Sequence, residues 1–90
     1  MTTRKENSIV RSILSQHIDN AGFEYYNDRR DNGRRRVFKT YQRDVDLRGI
    51  VNALEEINSI TPGWELYTGS AGMCMPGNVP MIGIKKYQDL

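Results

Sequence analysis

The sequence predicts an α+β fold of element order αββαββ: a four-stranded antiparallel sheet with two helices on one face. Three observations point to it. Two segments carry apolar residues at helical spacing: Ile9, Val10, Ile13, Leu14 and Ile18, then Leu47, Ile50, Val51, Leu54 and Ile57. Each is followed by two runs rich in β-formers with turn residues between them. The second half also repeats the first in outline, which implies an internal duplication (about 3–43 and 44–90) within one domain spanning 1–90.

In the first helix, Thr3-Arg4-Lys5-Glu6 has the spacing of a capping box, and Asn20 and Gly22 suit the other end, so the helix is expected over about residues 4–20. GFEYYNDRRDNGRRRVFKTYQR then reads as a hairpin turning at Asn32-Gly33, the strongest two-residue turn signal. That centre pairs Tyr26 with Lys39, Glu24 with Tyr41 and Arg29 with Arg36. Asp44 or Asp46 is suited to cap the second helix, which ends near Asn58 before Pro62-Gly63. WELYTGSAGMCM and VPMIGIKKY form the second hairpin. A loop at Met75-Pro76-Gly77 pairs Tyr67 with Lys85 and Glu65 with Tyr87.

The repeat is carried by short matches: Gly22-Phe23-Glu24-Tyr25-Tyr26 with Gly63-Trp64-Glu65-Leu66-Tyr67, and Phe38-Lys39-Thr40-Tyr41-Gln42 with Ile84-Lys85-Lys86-Tyr87-Gln88. Moving the last strand to the front gives βαββαβ, so the layout resembles a circularly permuted ferredoxin-like arrangement. That resemblance is architectural and implies no function.

Strand alternation assigns the faces. Phe23, Tyr25, Asn27, Phe38, Thr40 and Gln42, with Trp64, Leu66, Thr68, Ile82, Ile84 and Gln88, are expected to face the helices. Glu24, Tyr26, Lys39 and Tyr41, and their counterparts Glu65, Tyr67, Lys85 and Tyr87, are expected on the open face, extended by Arg30, Arg35, Val37 and Arg43.

Composition narrows the function classes. An apolar fraction of 38% and a charged fraction of 27% suit a soluble globular chain. MTTRKENSIV lacks a signal-peptide core and no apolar run reaches membrane-spanning length, so a cytoplasmic protein is expected. One cysteine, Cys74, and one histidine, His17, make no zinc site, and Asp44 and Asp46 are better explained as helix caps than as metal ligands. No cofactor or metal is expected. Without a nucleophile–base pair, an enzyme ranks low.

Charge is unevenly distributed. Residues 29–43 hold seven basic side chains and one acid, whereas the rest of the chain holds six basic and ten acidic ones. A local basic patch attracts phosphates or an acidic surface whatever the net charge of the chain. The leading expectation is a small non-enzymatic nucleic-acid-binding domain. Arg29, Arg30, Arg34, Arg35, Arg36 and Arg43, with Lys39 and Lys85, would contact phosphates, while Tyr26, Tyr41, Tyr67 and Tyr87 stack on bases. RNA-recognition modules use a four-stranded sheet in this manner, but their aromatic and glycine motifs are missing here. The other reading is a protein-interaction module, such as an inhibitor or accessory subunit, binding an acidic surface or a second copy. The arginine hairpin is the stronger of the two features, because the second hairpin repeats the lysine and tyrosines but not the arginines.

Overall fold

The computed structural model describes residues 2–18, 22–28, 33–41, 45–71 and 79–89. They form α1 (Thr3–His17), β1 (Glu24–Asp28), β2 (Gly33–Thr40), α2 (Leu47–Ile60), β3 (Trp64–Ala71) and β4 (Val79–Asp89). The turns expected at Asn32-Gly33 and Met75-Pro76-Gly77 fall on or beside residues outside the described set. Gly33 itself lies in β2, opposite Asp89.

The four strands make one antiparallel sheet in the order β1-β2-β4-β3. The central β2–β4 pair joins the two halves of the chain. This order is compatible with the permuted ferredoxin-like layout. Both helices contribute to one core: Val10, Ile13, Leu14 and Ile18 of the α1 segment meet Ile50, Ala53 and Ile57 of α2 over Phe38, Trp64 and Ile84 of the sheet. Full burial of each such side chain is worth about 1.5–3 kcal/mol, and this fixes which sheet face turns inward. Tyr25 and Trp64 flank Phe38 with ring centroids at 5.0 and 5.8 Å.

Helix ends differ from the expectation in detail. Thr2, not Thr3, caps α1, accepting from the Lys5 backbone N–H at 3.2 Å, so Glu6 is not the acid of a capping box. The helix stops at His17, three residues early, and Gly22 turns the chain with φ 61°. Asp46 caps α2, accepting from Arg48 N–H at 3.0 Å, and Gly63 makes the equivalent turn into β3 with φ 110°. His17 has an acidic neighbour that its sequence context did not reveal: Glu56 of α2, 3.6 Å away. Gly49 lets the helices approach there, since a Cβ would lie 3.0 Å from the His17 carbonyl oxygen.

The register of both hairpins differs from expectation by two residues. Glu24 faces Lys39 rather than Tyr41, and Tyr26 faces Val37 rather than Lys39. In the second hairpin Glu65 faces Lys85 and Tyr67 faces Gly83. A two-residue slip leaves every side chain on its assigned face. The observed register sets an acid opposite a lysine in both hairpins, the more favourable cross-strand pair.

Leu66 is a second departure. It has core-facing parity but is 42% exposed, because β3 is an edge strand and Leu66 lies outside the buried cluster.

Candidate binding surface

The helices cover one face of the sheet, and the other carries Tyr26, Tyr41, Tyr67 and Tyr87 with Arg35, Lys39 and Lys85. Lys39 lies between two rings on this face, its Nζ 5.1 Å from the Tyr26 centroid and 5.5 Å from that of Tyr41. The Arg35 guanidinium sits 5.8 Å from the Tyr67 ring, and Lys85 Nζ 5.4 Å from Tyr87. Each of these four rings therefore has a cation within cation–π range. Tyr26, Tyr41 and Tyr87 remain exposed to solvent. Val37 faces outward among them and is nevertheless fully buried, flanked across the ladders by Tyr26 and Lys85.

Gly83 forms the floor beside Tyr67. A Cβ there would fall 1.8 Å from the Phe38 carbonyl oxygen, so no side chain fits without parting β2 from β4. A glycine inside a strand is the sequence sign of such close backbone approach.

Charge on this face is balanced by register. Glu24 is the Cα partner of Lys39, Asp28 of Arg35 and Glu65 of Lys85. Among the described residues the open face is thus an aromatic surface with its cations held over rings and both lysines opposite acids.

The arginine run is divided. Arg29, Arg30 and Arg43 lie outside the described residues. Arg35 is on the open face, whereas Arg34 shares the parity of the helix-facing positions and is half-buried. Arg36 is the clear reversal: it is 1% exposed and turned toward the helices. It donates from Nη1 to Glu6 Oε1 and from Nη2 to Asn7 Oδ1 of α1. The other Glu6 oxygen accepts from Thr61 Oγ1 and from Lys86 Nζ, the latter at 2.6 Å. Arg36 and Lys86 also stand over the Trp64 ring, at 5.2 and 6.0 Å. Burial pushes the Glu6 carboxyl upward, but hydrogen bonds from Lys86, Thr61 and Arg36 and the Arg36 charge outweigh it. Together they hold Glu6 at about 2, below its ordinary 4.5. Arg36 is therefore committed to the interior and does not share the accessible surface of its neighbours.

A cleft of about 310 Å³ lies where β3, β4 and the start of α2 meet, lined by Val45, Leu47, Thr68, Gly69, Pro80, Met81 and Ile82. None of these is ionisable. Among the described residues no group of three or more His, Cys, Asp or Glu is placed to hold a metal ion, and no helix is long and apolar enough to cross a membrane. Comparison of the chain with protein-family models, with curated proteins and with solved structures finds no match.

Proposed function

We propose that this chain is a non-enzymatic binding domain that contacts single-stranded nucleic acid through the open tyrosine face. One observation carries the reading: Tyr26, Tyr41, Tyr67 and Tyr87 share the helix-free face, each ring with a lysine or arginine beside it. Rings of this kind stack on unpaired bases at about 1–3 kcal/mol per base, and the cations beside them reach the adjoining phosphates. Single strands are favoured over duplexes because a duplex hides its base faces. At the Tyr87 end, Arg35 adds basic charge as the Cα partner of Tyr87.

The acids paired with Lys39 and Lys85 make the expected salt dependence shallow, because a cation already facing a carboxylate releases fewer counterions. The test is a titration with single-stranded and duplex DNA and RNA across a salt series. Preferential single-strand binding with a slope of log K on log salt of roughly −2 or shallower supports stacking. No binding at low salt, or equal binding to duplexes, removes the reading.

The charge balance of the face favours a second reading, that of a protein-contact surface. Aromatic and arginine side chains without surplus charge are typical of interface centres. A partner retained after nuclease treatment and lost on replacing the exposed tyrosines would favour it. The equivalent Glu–Lys registers and the positive-φ glycines Gly22 and Gly63 also support our reading of the two αββ halves as a duplication.

A further inference from the structure

The strand registers carry a two-fold symmetry. Phe38 and Ile84, which correspond between the two hairpins, are each other's Cα partners at the β2–β4 joint. Beside them Lys39 faces Gly83 and Val37 faces Lys85, so exchanging the two halves reproduces the same joint. The hairpins agree as well: Glu24–Lys39 and Tyr26–Val37 in the first become Glu65–Lys85 and Tyr67–Gly83 in the second. A half-turn about an axis normal to the sheet at Phe38–Ile84 therefore carries one half of the open face onto the other.

The exchange preserves the chemistry of the face. Glu24, Tyr26, Lys39 and Tyr41 correspond in order to Glu65, Tyr67, Lys85 and Tyr87. Core packing does not require this, since Tyr26, Tyr41 and Tyr87 are exposed. Each pair of rings has its cations. In the first half Lys39 Nζ serves both rings, 5.1 Å from Tyr26 and 5.5 Å from Tyr41. In the second, Lys85 stands 5.4 Å from Tyr87, and Arg35 takes Tyr67 at 5.8 Å. The halves differ in detail: Tyr67 lies along its own strand, its hydroxyl 2.9 Å from where a Gly69 Cβ would sit.

A nucleic-acid strand has a direction, and a half-turn about the sheet normal reverses it. One strand laid across both halves meets one set of rings 5′-first and the other 3′-first, so it cannot fit two equivalent sets equally. Two segments running in opposite directions can.

We propose that the open face holds two stacking half-sites, Tyr26–Lys39–Tyr41 and Tyr67–Lys85–Tyr87, which bind two unpaired nucleic-acid segments running antiparallel. The ligand class is a pair of facing single strands, such as the two sides of an internal loop, rather than one extended strand. The inference rests on the stacking function proposed above and adds the number and direction of the bound segments.

An NMR titration with a single-stranded oligonucleotide of about four nucleotides tests it. The ring signals of both half-sites are expected to shift. Tyr41→Ala should abolish the shift at Tyr26 and leave those at Tyr67 and Tyr87; Tyr87→Ala should abolish that at Tyr67 and leave those at Tyr26 and Tyr41. Both replaced rings are exposed, so both variants should keep the wild-type unfolding midpoint. A paramagnetic tag on the 5′ end of the probe should broaden corresponding rings together, Tyr26 with Tyr67 or Tyr41 with Tyr87. Broadening of rings that do not correspond, shifts confined to one half, or loss of all shifts on a single replacement overturns the proposal and leaves stacking itself standing. No shift in any ring at low salt removes both.

Discussion

Glu6 ties the helical layer to the sheet. One carboxylate accepts from Arg36 of β2, Lys86 of β4 and Thr61 at the end of α2, so four segments distant in sequence meet at one α1 side chain. Removing one partner from a buried ion pair costs roughly 3–5 kcal/mol, a large part of a small domain's stability. Glu6→Gln is expected to lose about that much at neutral pH, measured by urea unfolding. Because the folded-state carboxyl is held at about 2, below the 4.5 of a free one, its contribution is fully present above pH 4.5 and lost as pH falls toward 2. The wild type should therefore weaken across that window, with a smaller slope in Glu6→Gln. Arg36→Ala should likewise destabilise the fold, so an arginine-to-alanine set that includes Arg36 would report unfolding as lost binding. The cluster was partly legible in the sequence. Glu6 continues the stripe of Val10, Ile13 and Leu14, and Arg36 and Lys86 share the parity of Phe38 and Ile84. Reading Glu6 as a capping acid concealed this, since Thr2 rather than Thr3 is the cap.

Between elements, periodicity identifies strands and faces but not how adjacent strands align. Helical and strand periodicities gave the six elements and the faces of their side chains. They did not give the register, because alternation is blind to a slip of two residues. The charges were the discriminating signal: only the observed register sets Glu24 against Lys39 and Glu65 against Lys85. Gly83 carries the β2–β4 joint: a glycine inside a strand marks a close approach but does not name the neighbour, which is Phe38 from the other half of the chain. Gly83→Ala is expected to destabilise by about 3 kcal/mol or more, since the obstruction is backbone and has no rotamer to yield. Asp46→Ala should cost only about 1 kcal/mol through the lost cap of α2, seen as a small drop in melting temperature.

For the molecule as a whole, the order β1-β2-β4-β3 decides what is covered and what is open. It leaves Leu66 at an uncovered edge and gathers the tyrosines of both hairpins on the face opposite the helices. That order also separates the described residues of the two candidate features. The arginine run looked stronger while it was a line of text, but alternation and non-local pairing commit Arg36 to the core and set Arg35 opposite Asp28. The tyrosine face, the weaker candidate in the sequence, is the one whose parts the fold assembles. The most direct measurement is the affinity of a single-stranded oligonucleotide for the wild type and for a Tyr26→Ala, Tyr41→Ala, Tyr87→Ala variant, with unfolding midpoints recorded for both. Stacking predicts that the variant keeps its stability, since all three rings are exposed, and loses at least about tenfold in affinity, the effect of roughly 1.4 kcal/mol. Unchanged affinity in a folded variant would contradict the open face as the contact surface.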